Sequence, residues 1–260
     1  MYQENIKAKK KYGQNFLNNQ GIINKIVSII NPKNKKIIEI GPGMGALTKE
    51  LVKESSNLIA FEIDTDMINY LNQINIFDGI KNKIINEDFL ESNLSDYKEF
   101  EIVGNIPYYI TSEIIFKIID NRFLFKRAVL MVQKEVADRI VATINSSEYS
   151  KLSLSCQYVA KVKKELIVKK DNFTPVPKVD SAIVSFYFYQ KKDDDFDRIK
   201  EFFKLCFLAR RKKLIWSLSK KYKKEDILNT FKKLNLDENI RIQQLDLNCV
   251  LKLYNLLKDQ

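Results

Sequence analysis

Two acidic residues and an amide each stand at the end of a short apolar run that is typical of a buried strand: Glu62, Asp88 and Asn105. A carboxylate at such a strand end can accept hydrogen bonds from both hydroxyls of a ribose, the role expected for Glu62. Asp88, after the next run, can accept a hydrogen bond from the amino group of adenine. Another run ends in a turn with Gly41 and Gly43, where the main chain can approach a ligand closely. Together these residue types predict a nucleoside site.

The spacing of the glycines narrows the choice of ligand. The turn reads G-x-G-x-G, whereas a dinucleotide fingerprint reads G-x-G-x-x-G, and the chain contains no G-x-x-x-x-G-K-[ST] phosphate loop. A nucleoside without a pyrophosphate therefore fits best, and S-adenosyl-L-methionine is the common cofactor of that kind. Each feature alone has a simpler interpretation, either a tight strand-to-helix turn or a solvated acid at a strand end.

The segment Asn105-Ile106-Pro107-Tyr108 follows one of these strands and predicts a holder for adenine. The exocyclic amine of adenine donates two hydrogens, which the side-chain oxygen of Asn105 and the main-chain carbonyl of Ile106 can accept. Pro107 fixes the corner, and Tyr108 can stack on the base, a contact worth roughly 1–3 kcal/mol. The alternative is a proline-terminated strand with tyrosines that serve only for packing.

The chain contains no histidine, which removes the commonest general base and the commonest metal ligand. Methyl transfer suits such a chain. The sulfonium methyl group is already activated, and the attacking nitrogen becomes acidic only after the new bond forms. Its proton can then leave to water, so catalysis is mainly positioning, which can contribute about 7–11 kcal/mol. We expect no metal site.

These residues require a sheet of parallel strands to position them. Runs rich in Ile and Val alternate with segments of helical apolar spacing, as in βαβ repeats, and Thr65 and Thr111 are expected to cap two of the helices. The predicted strands cover residues 35–41, 57–64, 81–88, 99–105 and 127–133. Two more strands, on either side of the proline-containing segment 171–179, are expected to add an antiparallel edge. The predicted fold class is α/β, a doubly wound parallel sheet with ligands at the carboxyl ends of its strands.

A charge-rich break at residues 190–197 divides the predicted domains. We expect a cofactor-binding domain over 1–190, with an N-terminal arm over 1–19, and a small all-helical domain over 191–260. The second domain has 18 Lys+Arg and 11 Asp+Glu, so 18 − 11 gives +7 of the chain's formal +11. Nine basic residues and no acidic residue fall within 204–224. This concentration of charge predicts a polyanionic partner.

Targeting and redox signals are sparse. No apolar run approaches the roughly 18 residues of a membrane helix, and the amino-terminal segment has lysines but no apolar signal core. The three cysteines are far apart in apolar surroundings, as expected of buried, reduced thiols. We therefore expect a cytoplasmic protein that does not enter a membrane. As a separate expectation, the protein is a monomer.

Several long motifs extend over nearly the whole chain. They read KKYGQNFL at 10–17, EIGPGMGALT at 39–48, EID at 62–64, ED at 87–88, GNIPYYITS at 104–112, QKEVADRI at 133–140, FTPVPKVDSAIV at 173–184 and ARRKKLIWSL at 209–218. On these motifs the chain resembles the ribosomal RNA adenine N6-dimethyltransferase family, most closely its KsgA-type small-subunit branch. The resemblance implies a Rossmann-like methyltransferase sheet that uses S-adenosyl-L-methionine, with a helical C-terminal domain.

The resemblance also implies particular contacts. Cofactor contacts are expected from Asn15, Leu17, Gly41, Gly43, Glu62, Asp88 and Asn105, and RNA contacts from Arg210, Arg211, Lys212 and Lys213. The implied substrate is the small-subunit (16S) ribosomal RNA in a pre-assembled subunit, where two adjacent adenosines of the 3′-terminal hairpin loop are each methylated twice. Phe173 is our hypothesis for the ring that stacks on the other face of the extruded base. A hydrophobic anchor for the Phe173 loop is the alternative.

The chain departs from the family pattern in the first long helix expected in its tail. Family members commonly read R-R-K-T-[LI]-R-N-[ST]-L there, while this chain has Lys213 and Trp216 at the Thr and Asn positions. The simplest interpretation of Trp216 is a core residue. The change leaves the detailed RNA contacts of this segment open.

Three other functions compete with this prediction. Erm-like enzymes, which dimethylate one adenosine of large-subunit (23S) RNA, share the cofactor site and the corner at Asn105, but QKEVADRI, PKVDS and ARRKKL favour the small-subunit branch. A noncatalytic RNA-binding assembly factor would be expected to lose part of the corner or the cofactor acids, and all are present. A nicotinamide oxidoreductase is least favoured, since the chain offers no pyrophosphate cradle.

Overall fold

The computed structural model describes residues 8–190 and 195–260, which form two compact units. The first unit contains the described residues up to Ala137 together with Lys161–Phe188. The second contains Asp138–Ala160 and the described residues from Tyr189 onward. Within the described residues, no helix combines the length and the apolar character that a membrane crossing requires.

This division differs from the predicted domains at residues 138–160 and at residues 189 and 190, which belong to the second unit. Residues 138–160 group with the C-terminal helices because Tyr149 and Leu154 are buried in the helical core. The functional boundary at residues 190 and 191 stays a prediction. Part of the predicted break, residues 191–194, and the first seven residues of the predicted arm lie outside the described residues.

The elements of the chain alternate as expected for an α/β fold. The strands are β1 (Phe16–Leu17), β2 (Lys36–Ile40), β3 (Asn57–Glu62), β4 (Asn82–Asn86), β5 (Phe100–Asn105), β6 (Phe125–Gln133), β7 (Ala160–Val168), β8 (Phe173–Thr174) and β9 (Ser181–Phe188). The helices are α1 (Gln20–Ile30), α2 (Thr48–Glu54), α3 (Thr65–Gln73), α4 (Thr111–Asp120), α5 (Lys134–Val141), α6 (Lys151–Val159), α7 (Phe196–Cys206), α8 (Leu214–Leu218), α9 (Lys224–Lys233) and α10 (Leu247–Leu257).

Seven strands form one sheet in the order β4-β3-β2-β5-β6-β9-β7. The pairs from β4 to β6 are parallel, and β9 runs antiparallel to β6. The central strands are buried along nearly their whole length, which explains their continuous runs of Ile, Val and Leu. The predicted α/β sheet, its antiparallel addition and the helical C-terminal region are confirmed.

The sheet order also fixes where a ligand can bind. β2 lies between β3 and β5, so the connections that leave β2 and β3 run to one side and those that leave β5 run to the other. A crevice forms at the carboxyl ends of strands where the order reverses in this way. The turns after β2, β3, β4 and β5 all lie at this edge.

The second unit is a helical bundle around its own apolar core. Phe203, Leu218, Phe231 and Leu253 are among the buried residues of that core. The prediction of a long helix through the basic segment is wrong, because α7 ends at Cys206 and α8 begins at Leu214. The intervening residues form turns.

Candidate active site

A cleft opens at the carboxyl edge of the sheet and encloses about 1120 Å³, including its open mouth. It brings together residues from the predicted arm, the glycine turn and the three predicted strand ends. Every residue predicted for the cofactor or for the amine lies in its lining: Asn15, Leu17, Gly41, Gly43, Glu62, Asp88, Asn105, Ile106, Pro107 and Tyr108.

The glycine turn depends on backbone angles that side chains disfavour. Gly41 and Gly43 have φ of +65° and +55°. A Cβ on Gly41 would meet no atom within 4 Å, so the main chain there faces open space in the cleft. A Cβ on Gly43 would stand 3.1 Å from the ring of Phe16, because the arm packs directly on this turn. Gly41 therefore leaves room for a ligand, and Gly43 leaves room for the ring of Phe16.

Glu62 links the glycine turn to the end of β3. Its Oε2 accepts a hydrogen bond from the Gly43 N–H at 3.1 Å, and its Oε1 accepts one from the Asp64 N–H at 2.9 Å. Burial raises the pKa of Glu62, although these backbone hydrogen bonds oppose the shift. A carboxylate has about four acceptor positions, so Glu62 can still accept hydrogen bonds from a ligand.

Asp88 lies just beyond β4 and stabilises the turn that begins at its own position. Its Oδ1 accepts a hydrogen bond from the Leu90 N–H at 2.9 Å, and its main-chain carbonyl accepts from Glu91 and Ser92. The second carboxylate oxygen of Asp88 has no hydrogen-bond partner among the described residues. The side chain therefore keeps an acceptor at the cleft.

The described part of the arm is attached to the sheet edge at several points. β1 pairs antiparallel with β8, with Leu17 opposite Phe173. Asp64 accepts hydrogen bonds from Lys9 Nζ at 2.6 Å and from Gln14 Nε2 at 2.8 Å. Burial alone would raise the pKa of Asp64, but these hydrogen bonds outweigh it and hold the pKa below its ordinary value. They bring Asn15 into the cleft wall.

The Asn-Ile-Pro-Tyr corner is held by hydrogen bonds to main-chain carbonyls. The Asn105 amide nitrogen donates to the Asn15 carbonyl at 3.0 Å, so its carbonyl oxygen is the atom left to accept. The Ile106 N–H donates to the Met131 carbonyl of β6 at 3.0 Å. The Thr111 hydroxyl donates to the carbonyls of Pro107 and Tyr108. The prediction that Thr111 caps α4 is wrong, because Ile110 occupies the N-cap position.

Tyr108 is held through its hydroxyl. Its Oη lies 2.7 Å from Ser181 Oγ, and Ser181 is fully buried in β9. Burial raises the pKa of Tyr108, while the hydrogen bond to Ser181 opposes that shift. The phenol ring therefore has a fixed direction at the cleft, as a stacking surface requires.

Phe173 is the one predicted base-contact residue that the structure does not bring to the cleft. Its side chain is only 1% exposed and packs in the core with Leu17 and Ile183. The short pairing of β1 with β8 keeps the ring there. The alternative interpretation, a hydrophobic anchor for the FTPVP loop, describes its place in this structure.

Sequence reasoning missed Glu39. This carboxylate lies in β2 and in the cleft wall, is 2% exposed, and its Oε2 has no hydrogen-bond partner among the described residues. Burial, with a smaller contribution from the charge of Glu62, raises the pKa of Glu39 to about 8. A glutamate inside the otherwise apolar run KKIIEIG was the signal that could have identified it.

The predicted RNA-binding residues lie in the second unit, between α7 and α8. Arg211, Lys212 and Lys213 are exposed, whereas Arg210 is half-buried and donates to the Ser146 carbonyl at 2.6 Å. The interpretation of Trp216 as a core residue is wrong, since 37% of it is exposed. The neighbours Leu214 and Leu218 occupy the core-facing positions of the short helix instead.

A parallel sheet of this order, with an antiparallel strand beside β6 and a cleft at its carboxyl edge, is that of the Rossmann-like methyltransferases. The family model described as "Ribosomal RNA adenine dimethylase" matches residues 5–259. The chain belongs to the ribosomal RNA adenine dimethylase family.

Individual relatives agree with this assignment. "Ribosomal RNA small subunit methyltransferase A" of Mycoplasmopsis synoviae (strain 53) is 48% identical over 253 residues, covering 96% of this chain and 97% of the relative. The protein of the same name from Mycoplasmopsis pulmonis (strain UAB CTIP) is 49% identical over 246 residues, covering 92% and 95%.

Solved structures agree as well. The crystal structure of a dimethyladenosine transferase from Plasmodium falciparum has a TM-score of 0.82 at 31% identity, covering 92% of this chain and 97% of that one. The 23S rRNA methyltransferase ErmE has a TM-score of 0.70 at 24% identity, covering 95% of this chain and all of that one, a likeness of fold alone.

Proposed function

We propose that the protein transfers methyl groups from S-adenosyl-L-methionine to the N6 atoms of two adjacent adenosines in the 3′-terminal hairpin loop of small-subunit ribosomal RNA. The observation that carries this proposal is the orientation of Asn105. Its amide nitrogen is engaged by Asn15, so its oxygen is the group that remains to accept a hydrogen bond from a substrate amine.

The cleft fits the cofactor. Open space over Gly41 lets the main chain approach a ligand, and Glu62 can accept hydrogen bonds from ribose hydroxyls. Asp88 offers an acceptor for the amino group of the adenine ring. The buried Oε2 of Glu39 has no hydrogen-bond partner among the described residues, and a cationic ligand in the cleft would satisfy it. When bound, S-adenosylmethionine supplies an activated methyl group.

The residues of the corner hold and aim the substrate. The Asn105 oxygen and the Ile106 carbonyl accept the two hydrogens of the amine, which leaves the nitrogen lone pair as the free direction. The hydrogen bond of Ile106 to Met131 and those of Thr111 keep the corner rigid. The ring of Tyr108, held by Ser181, stacks on the base.

No protein base is needed in this scheme. After methyl transfer the nitrogen carries a positive charge and its proton is acidic, so it passes to water. Among the carboxylates of the cleft, Glu62 and Asp88 stabilise turns of the main chain and keep their remaining acceptor positions for the cofactor. Rate enhancement then depends on the distance and angle at which the amine nitrogen approaches the methyl group. The fixed corner controls both by holding the amine.

The small-subunit substrate is supported by the relatives rather than by the cleft. Eight curated relatives at 43–49% identity carry the name "Ribosomal RNA small subunit methyltransferase A". ErmE, by contrast, shares only the fold at 24% identity. We further propose that the protein acts as a monomer, in the cytoplasm, on a pre-assembled small subunit.

Labelled methyl transfer to isolated subunits tests the proposal. Small and large subunits from cells that lack this modification are each incubated with the protein and methyl-labelled S-adenosylmethionine. We expect label in small-subunit RNA only, and mass spectrometry should find two adjacent dimethyladenosines. Label confined to large-subunit RNA would assign the protein to the Erm-like alternative, and no label in either RNA would favour a noncatalytic factor.

A further inference from the structure

A second cavity is lined only by residues of the C-terminal unit. It encloses about 1000 Å³, including its open mouth. Its lining consists of Arg211, Lys212, Lys213, Ile215, Trp216, Ser219, Lys220, Lys224 and Arg241. Six of these nine residues are basic and none is acidic, so the cavity combines one indole ring with a strongly positive wall.

Two features of the chain form this cavity. Leu214 and Leu218 are buried, so the short helix α8 presents Trp216 on its outer side. The Leu214 N–H donates to the Ile240 carbonyl at 2.8 Å, which brings Arg241 beside the start of α8. The buried face of α8 therefore sets the position of Trp216, and the main-chain hydrogen bond to Ile240 sets the position of Arg241.

The cations converge on the indole. Lys212 Nζ lies 4.2 Å and Lys220 Nζ 4.7 Å from the centre of the Trp216 ring. In the described part of the chain, no carboxylate forms an ion pair with Lys212 or Lys220. The six basic residues of the lining attract an anion, and the exposed face of the indole offers a stacking surface for a flat group attached to that anion.

We propose that this cavity binds one unpaired nucleotide of the RNA substrate, with its base stacked on Trp216 and its phosphates held by Lys212 and Lys220. The proposal rests on the proposed function for the presence of RNA. A base in a duplex is covered by its neighbours, so only an unpaired one can reach the ring. Stacking of a base on an exposed indole is stronger than the contact of a hydrated lysine with it, so the ammonium groups turn to the phosphates.

The chain contains a single tryptophan, so its fluorescence reports on this cavity alone. We expect a short single-stranded oligoadenylate to quench Trp216 fluorescence, while an abasic oligomer of the same length, heparin and polyglutamate leave it nearly unchanged. Equal quenching by the abasic oligomer or heparin would mean that the cavity binds anionic groups such as phosphate without recognising a base. Stronger quenching by polyglutamate would assign it to an acidic protein. Either result overturns the proposal.

Substitutions give a second test. In filter binding of labelled oligoadenylate, an assay that does not need the indole, Trp216→Leu should weaken binding about tenfold, as expected for loss of one stacked base, while Trp216→Phe should retain most of it. The matched control is Phe123→Leu, which removes an exposed ring with Arg122 4.2 Å above it in the other unit. Equal effects of Trp216→Leu and Phe123→Leu would contradict the proposal.

The same variant separates this proposal from the proposed function. Trp216→Leu should raise about tenfold the concentration of small subunits needed for the half-maximal rate of methylation, and Phe123→Leu should not. If the unaltered protein methylates no subunit but oligoadenylate still quenches Trp216, the function fails and the nucleotide site stands. If methylation proceeds and Trp216→Leu has no effect on either assay, the site fails alone.

Discussion

The side-chain amide of Asn105 donates a hydrogen bond of 3.0 Å to the main-chain carbonyl of Asn15, a residue 90 positions earlier in the chain. The contact joins the end of β5 to the N-terminal arm inside the cleft. It also fixes which end of the amide faces a substrate, because the nitrogen is engaged and the oxygen is left to accept. The arm therefore sets the orientation of the residue proposed to hold the amine.

Substitution of Asn105 should separate catalysis from RNA binding. Asn105→Ala removes the acceptor, and Asn105→Asp keeps an acceptor but sets a carboxylate against the Asn15 carbonyl. We expect both to lower the rate of methyl transfer by about 10²-fold or more, because misplacement of the reacting atoms is that costly. Filter binding of RNA should stay within about twofold, since phosphate contacts supply most of the affinity.

The matched control for this pair is Asn121→Asp. The Asn121 amide donates to the Lys117 carbonyl at 2.9 Å, a similar bond outside the cleft. Its substitution should leave methyl transfer within about twofold of the original rate. Full activity of Asn105→Asp would show that the bond to Asn15 has no part in the reaction.

The contacts of Asp64 should control closure of the arm. Asp64→Ala removes the buried carboxylate to which both Lys9 and Gln14 donate, and Lys9 keeps its ion pair with the exposed Asp66 at 2.6 Å. We expect the affinity for S-adenosylmethionine to fall about tenfold, in keeping with the loss of a charge-assisted hydrogen bond. Calorimetric titration measures the affinity, and limited trypsin digestion should cleave the arm after Lys9 more rapidly.

An exposed ion pair provides the comparison for Asp64. Glu50 and Lys53 lie 2.7 Å apart on α2, and pairs of this kind contribute little. Glu50→Gln should therefore alter neither the affinity nor the digestion. Unchanged cofactor affinity in Asp64→Ala would mean that the arm closes without its attachment at Asp64.

The sequence predicted the sheet and its strand ends well because both depend on local patterns. Continuous runs of Ile and Val identify strands buried on both faces, and the parallel arrangement then brings Gly41, Glu62, Asp88 and Asn105 to one edge. For that reason every residue predicted for the cofactor lies in the cleft. Their roles there stay predictions.

The features that the sequence did not predict depend on contacts between distant segments. Phe173 is drawn into the core by the pairing of β8 with β1, and no local pattern reveals that pairing. Helix α7 ends at Cys206 although the apolar spacing continues, and the Leu214 N–H instead bonds to Ile240. Thr65 is likewise not a cap, since Asp64 precedes it and accepts from the Asp66 N–H.

The stability of the unliganded protein should depend on Glu39. Its pKa of about 8 in the folded protein exceeds the ordinary value of 4.5, so the folded protein keeps a proton that the unfolded chain has lost. The free energy of unfolding contributed by this group therefore decreases as pH rises from about 4.5 to about 8. Glu39→Gln should make the pH dependence in that window less steep.

Urea unfolding at several pH values across this window measures the effect. The matched control is Glu54→Gln, which removes an exposed carboxylate from the same unit. The free energies of unfolding of the two variants should differ most at the alkaline end of this pH range. There, ionisation of the buried Glu39 destabilises the folded protein that retains it. An equal change of slope in both variants would contradict the assignment to Glu39.

The pair of Tyr108 and Ser181 should behave as one unit in a double-mutant cycle. Their hydroxyls lie 2.7 Å apart, and Ser181 is fully buried. Tyr108→Phe and Ser181→Ala should each lower the free energy of unfolding by about 1 kcal/mol, and the double variant should lose less than the sum, with a coupling of at least about 0.5 kcal/mol. Each single variant should also slow methyl transfer several-fold, because the phenol ring loses its fixed direction while its stacking surface remains.

A second buried tyrosine hydroxyl supplies the control for this cycle. Tyr149 donates to the Leu245 carbonyl at 3.0 Å and belongs to the C-terminal unit. Tyr149→Phe combined with Ser181→Ala should therefore be additive, both in urea unfolding and in the rate of methyl transfer. If Tyr108→Phe and Ser181→Ala are also additive, the hydrogen bond does not set the ring, and the packing of Tyr108 against the cleft wall must do so alone.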